Sequence, residues 1–255
     1  MSGTVRPGAE PFRIDAGPVG ALLLHGFSGS PASLRPMGEW LAAHGVSVAG
    51  PRLPGHGTDD WHDLASADWI DWEREALAAA DDLGSRCRAT ILVGLSMGGG
   101  LALHLAAMQP ARFAGVVAIN PYVRDPRLLA APVLKFARPS VKGVGNDIAK
   151  PGQDEICNER LPTATLASLS SFLRTVEREL PRVTAPLLLF SSAEDHTVDP
   201  ANSRLVAARA GSAQKDLVRL ARSFHVATLD HDAPGIFERT LAFVREVAGP
   251  DQPEG

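Results

Sequence analysis

The chain has 255 residues, 45% of them hydrophobic, with 25 basic against 29 acidic side chains and a formal net charge of −4. That is apolar material for one full core, so a single domain spanning 1–255 is expected. The acidic balance and scattered arginines give no electrostatic footing for nucleic acid or an anionic membrane.

Two cysteines, Cys87 and Cys157, argue against a disulfide framework and for the cytoplasm. The first 20 residues have no basic start followed by an apolar stretch, so no signal peptide is expected. No apolar run approaches the roughly 18 residues of a membrane span, so no stable anchor is expected either. The tail "GPDQPEG" is expected to fray.

In chain order, short apolar runs at 19–26, 45–50, 90–94, 115–120, 186–192 and 215–221 read as strands. Helical stretches are expected at 33–44, 67–83, 97–109, 163–180, 201–210 and 235–247. The first five runs are apolar nearly throughout, as strands covered by helices on both faces must be. This alternation predicts an α/β fold: a mostly parallel open sheet joined by right-handed crossovers. The interval 121–162 breaks the rhythm. It is rich in proline and glycine, shows no clear strand, and holds one apolar helical stretch, "LLAAPVLKF". Loops of this length inside a compact domain are usually functional, and this one reads as an inserted cap.

In open parallel sheets, ligands bind beyond the carboxyl ends of the strands. "HGFSGS" follows the first run, "GLSMGG" the third, "SAEDHTVDP" the fifth and "RSFHVATLD" the sixth. A serine, an acid and a histidine therefore occur in that order, the serine within a G-x-S-x-G turn. A serine hydroxyl is a weak nucleophile until a neighbouring base takes its proton. Gly94, Gly98 and Gly99 leave room for the tight crossing that would present Ser96. The helix starting at Met97 aims its free N–H groups and positive end at the same place. The base is His225, which follows a strand and comes after the acid. His231 lies between Asp230 and Asp232, where a solvated surface role fits better. His25 and His56 suit loop geometry, while His44, His62 and His104 lie in or beside helical stretches. His196 sits next to the acid as a wall residue. None of the eight has metal-ligand spacing, and no metal is expected. The acid is one of Glu194, Asp195 and Asp199. Asp199 precedes Pro200 and suits a helix N-cap. One oxyanion donor is the N–H of Met97, and the other comes from the loop after the first strand.

Five blocks together, "GPVGALLLHGFSGSP", "PRLPGHGTD", "GLSMGG", "SSAEDHTVDP" and "SFHVATLDHD", resemble the α/β-hydrolase superfamily, in particular its small bacterial carboxylesterases and monoacylglycerol lipases. The likeness runs from about residue 8 to about 248 and is weakest in 121–162, where "NPYVRDP" departs from the pattern. It implies an α/β-hydrolase fold with a small inserted cap, no cofactor, Asp195 as the acid and the Phe27 N–H as the second oxyanion donor. The Phe27 ring would line an acyl pocket, which "LLAAPVLKF" would help to cover. The implied substrate is a carboxylic ester with a small alcohol, a monoacylglycerol first, presented in micelles or at a lipid surface. Glu155, in "QDEICNERLPTA", corresponds to an acid on the alcohol side. Read on its own, it serves equally as solvated surface on a helical turn. The same triad would serve a general short- to medium-chain carboxylesterase or a perhydrolase. It would also serve an aminopeptidase, with Asp147, Asp154, Glu155 and Glu159 available for a substrate amine. A binding module would not need a base beside its serine. Dehalogenases and epoxide hydrolases carry aspartate where this chain has Ser96.

Overall fold

The computed structural model describes residues 3–134, 136, 138–143 and 145–249. Residues 250–255 of the tail and Lys135 of the apolar stretch 128–136 lie outside them. Along the chain run β1 (Phe12–Ile14), β2 (Val19–Leu24), α1 (Arg35–Ala43), β3 (Val46–Gly50), α2 (Trp61–Ala65), α3 (Trp69–Gly84), β4 (Ala89–Leu95), α4 (Met97–Met108) and β5 (Gly115–Ile119). There follow α5 (Ala131–Leu134), β6 (Ser140–Lys142), β7 (Arg160–Pro162), α6 (Thr163–Glu179), β8 (Leu187–Ser192), α7 (Ala201–Arg209), β9 (Lys215–Leu220) and α8 (Ala233–Ala248). The six runs read as strands form β2, β3, β4, β5, β8 and β9, all parallel. The sheet order is β1-β3-β2-β4-β5-β8-β9.

Period-two geometry turns successive side chains to opposite faces, and each face meets its own helical layer. Leu22 and Leu24 of β2 pack with Trp72 and Leu83 of α3 and with α4 and α6. Ala21 and Leu23 face α1 and α8 through Met37, Leu41, Ile236 and Leu241. α4 is apolar all round because it is buried all round: every residue from Met97 to Ala107 is buried. The Asp68 carboxylate accepts the N–H groups of Ile70 and Asp71 while Asp71 takes the Asp68 N–H, a reciprocal cap that starts α3.

Three features depart from the sequence reading. β1 adds an antiparallel edge strand, Phe12 opposite Gly50, too short for periodicity to reveal. α2 is a further short helix, started by the Asp60 side chain accepting the His62 N–H. The interval 121–162 does contain strands: β6 and β7 pair antiparallel, Ser140 opposite Pro162. Each has three residues, and a long irregular stretch separates them. The "LLAAPVLKF" helix is broken into a 3-10 turn, Pro126–Ala130, and the four-residue α5.

Candidate active site

The strand ends converge on one cavity of about 230 Å³, lined by Phe27, Ser96, Tyr122, Leu128, Glu155 and His225 among others. Ser96 caps β4 and opens α4 with φ +57 and ψ −120, a backbone state that L-residues rarely adopt. Its backbone is pinned: the N–H donates to Ile119 O (2.9 Å), and the carbonyl accepts from Gly100 N (3.1 Å) and Tyr122 N (3.0 Å). The crossing is as tight as the glycines imply. A Cβ on Gly98 would run into the Leu24 and His25 carbonyls, and one on Gly94 into the backbone of Gly98. Gly98→Ala is therefore expected to cost about 3 kcal/mol or more, because backbone cannot yield as a side chain can. Gly235→Ala, whose Cβ meets nothing within 4 Å near the start of α8, should be neutral or stabilising. Urea unfolding of the two variants checks the contrast.

Asp195 and His225 meet, although 30 residues separate them. His225 Nδ1 lies 2.8 Å from Asp195 Oδ2, with side chains only 8% and 2% exposed. The other Asp195 oxygen accepts the N–H groups of Thr197 (2.9 Å) and Val198 (2.7 Å). The competing acids do other work. Glu194 is exposed and contacts His196, while Asp199 accepts the Ala201 N–H at the start of α7. His231 is exposed, and His104 is buried between Glu73 and Glu179. His25 holds loop geometry, its Nε2 accepting the Leu53 N–H and its Nδ1 facing Gly26 O. Burial lowers His25 to about 3 and His56 to about 4, so both are neutral at pH 7. His196 is not a wall of this cavity: it is half exposed and turned onto Asp147 (Nδ1 to Oδ1, 2.8 Å).

The loop after β2 presses on the serine, since a Cβ on Gly26 would lie 3.3 Å from Ser96 Cβ. Phe27, in that loop, is half-buried and edges against His56 and Trp72. Among the described residues neither the Phe27 N–H nor the Met97 N–H donates a hydrogen bond. Glu155 lies on irregular backbone, not on a helical turn, and it is half-buried on the cavity wall. Its carboxylate leans on the same loop, where a Cβ on Gly29 would strike it, and burial raises its pKa from 4.5 to about 7.

The segment carrying Glu155 is stitched to the loops that carry Asp195 and His225. Asp147 accepts the His196 N–H and lends its carbonyl to Val226 N. Buried Asp230 accepts the N–H groups of Ala149, Lys150 and Phe224. The sequence reading passed over Asn120, Tyr122, Asp125 and Arg127. Tyr122 donates to Asp125, which also holds Arg127, and all three line the cavity. Asn120 directly follows β5, so searching the end of that strand as well would have found it.

A serine on a strained strand-to-helix turn, with a histidine lining the same cavity and a buried aspartate behind it, defines an α/β-hydrolase of the serine type. Residues 20–232 match the family described as serine aminopeptidase, S33, and the chain belongs to that family. It is 40% identical over 246 residues to the thermostable monoacylglycerol lipase of Bacillus sp. strain H-257, covering 96% of this chain and 98% of that one. The carboxylesterase of Bacillus subtilis strain 168 is 24% identical, covering 93% and 97%. A solved structure from the metagenome-derived lipolytic enzymes LipS and LipT superposes with a TM-score of 0.92 at 40% identity, covering 95% of this chain and 100% of the other. Among the described residues no helix is long and apolar enough to cross a membrane.

Proposed function

We propose that this protein hydrolyses carboxylic esters through an acyl-enzyme on Ser96, with monoacylglycerols as the principal substrates. The observation that carries the reading is His225, backed by buried Asp195, lining the same cavity as a serine held at φ +57. Ser96 Oγ attacks the ester carbonyl while His225 Nε2 takes its proton. Asp195 accepts Nδ1–H, which leaves Nε2 free to act as the base. The N–H groups of Phe27 and Met97 hold the oxyanion, helped by the positive end of α4. His225 then protonates the departing alcohol, and water repeats the sequence on the acyl-enzyme to release the fatty acid.

Glu155 is the residue proposed to contact the alcohol, being an acid on the cavity wall that leans on the oxyanion loop. The 40% identity to a monoacylglycerol lipase supports the glycerol ester as substrate. The segment 121–162 serves as a cap, since Tyr122, Leu128, Val141, Glu155 and Leu161 of that segment line the cavity. Its outer side exposes Leu129, Val133 and Phe136, which suits substrate presented in micelles or at a lipid surface. The two free cysteines support a cytoplasmic location. An aminopeptidase reading is weaker. Asp125 is engaged by Arg127 and Tyr122, Asp147 by His196, and Glu155 is mostly neutral below about pH 7.

The test is turnover of 1-monoacylglycerols of rising chain length, the matching di- and triacylglycerols, p-nitrophenyl esters and an aminoacyl anilide. Selective cleavage of monoacylglycerols is expected. Broad ester cleavage without that preference would reduce the activity to a general carboxylesterase, and cleavage of the anilide alone would overturn the substrate assignment.

Glu155→Gln separates binding from stability. A carboxylate whose folded pKa lies above its unfolded value destabilises the fold once ionised. Wild-type stability should therefore fall as pH rises from about 4.5 to about 7. The glutamine variant should gain on the order of 2–3 kcal/mol over wild type at pH 8 and nothing at pH 4. An equal difference at both pH values would remove burial as the cause. The variant should also raise KM for monoacylglycerols more than for p-nitrophenyl esters.

A further inference from the structure

We propose that Asn120 is a positioning residue for His225, holding the histidine loop by its side-chain amide. The proposal rests on His225 being the base of the reaction set out above. Asn120 is 3% exposed, lies at the end of β5 and has φ +44, a state that asparagine and aspartate tolerate better than most residues with a side chain. Its N–H donates to Phe190 O (2.9 Å), which anchors the residue between β5 and β8.

The amide is oriented by its partners. Oδ1 accepts the Ser192 N–H (2.7 Å), a group that can only donate. Nδ2 faces the His225 carbonyl (2.8 Å), the more distant Phe224 carbonyl (3.4 Å) and Ser192 Oγ (2.9 Å). Carbonyls can only accept, so a flipped amide would set like against like at both ends. Ser192 Oγ in turn donates to Phe224 O (2.8 Å), closing a ring of bonds. The next N–H, that of Val226, is taken by the Asp147 carbonyl (3.1 Å), so the backbone is held on both sides of the imidazole.

A loop needs no such clamp merely to stay folded, since its apolar neighbours Val226 and Ala227 are already buried in the core. What the clamp adds is placement. Asn120 joins the ends of two central strands to the carbonyl of the one residue that must reach both Asp195 and Ser96. Errors of about 1 Å in such placements cost on the order of 10²-fold in rate.

The experiment compares Asn120→Asp, Asn120→Gly and Ser192→Ala with wild type and Ser96→Ala. Asparagine-to-aspartate keeps the shape and removes the donor; glycine removes the side chain and tolerates the positive φ. The readouts are kcat and KM on a p-nitrophenyl ester, circular dichroism melting, and the downfield proton resonance of the His225–Asp195 hydrogen bond. Both Asn120 variants should lose about 10- to 100-fold in kcat with KM within roughly threefold, and the proton resonance should shift or broaden. Ser192→Ala, which leaves the Asn120–His225 bond in place, should lose less than either and keep its melting temperature. Folded Asn120 variants with wild-type kcat and an unmoved resonance would overturn the proposal. If neither Asn120 variant folds, the side-chain amide protons of Asn120 in the wild-type protein decide: exchange with solvent as fast as that of an exposed amide would overturn the proposal. Turnover that survives in Ser96→Ala would instead refute the serine mechanism, and the resonance would still report whether Asn120 places His225.

Discussion

On the mechanism proposed above, Ser96→Ala should lower ester turnover by roughly 10⁴- to 10⁶-fold, the loss expected when the nucleophile of a triad that acts as a unit is removed. The fold should survive. Alanine inherits φ +57 without relieving or adding strain, and the three backbone hydrogen bonds that hold the turn do not involve the side chain. Ser96→Gly should be equally inactive but more stable than the alanine variant by about 1 kcal/mol, because glycine accepts that conformation freely. Initial rates on a p-nitrophenyl ester and thermal melting of the three proteins measure both effects. Retained turnover in folded Ser96→Ala would end the acyl-enzyme mechanism.

The second large effect is that of Asp195→Asn, for which the geometry predicts which way the new amide will turn. One oxygen of Asp195 accepts two backbone N–H groups, those of Thr197 and Val198. The asparagine oxygen must take that position, since an NH₂ group there would face two donors. Its NH₂ then faces His225 Nδ1, which has to become an acceptor. The proton moves to Nε2, the nitrogen needed to receive the Ser96 proton, and the base is lost through the wrong tautomer. About 10⁴-fold in kcat is the loss known for this change in a serine protease, and a similar loss is expected here with KM little altered. The buried N–H groups remain satisfied, so the melting temperature should change little. A kcat within tenfold of wild type would mean that Asp195 does not set the tautomer of His225.

Much of this architecture is legible in the sequence. Five runs of five to eight residues, apolar nearly throughout, read as strands covered on both faces, and those five formed together with the more polar edge strand β9. G-x-S-x-G is local as a motif, and the clash that forbids a Cβ at Gly94 comes from Gly98 four residues on, whereas the one at Gly98 comes from Leu24 and His25 at the end of the neighbouring strand. Three-residue β1, β6 and β7 were not legible, because so short a stretch shows no period and their pairing depends on distant partners.

Local pattern by itself therefore determined the sheet, the serine turn and the order of the serine, acid and histidine, since each is encoded by neighbours in the chain. That Asp195, assigned by the resemblance, does meet His225, that Glu155 is half-buried on the cavity wall, and that Asn120 bonds to the histidine loop are visible only in the tertiary structure. Asn120 reaches Ser192 and His225 from 72 and 105 positions away. Burial and hydrogen-bond satisfaction are properties of what surrounds a side chain in space, and along the chain those surroundings are nowhere adjacent.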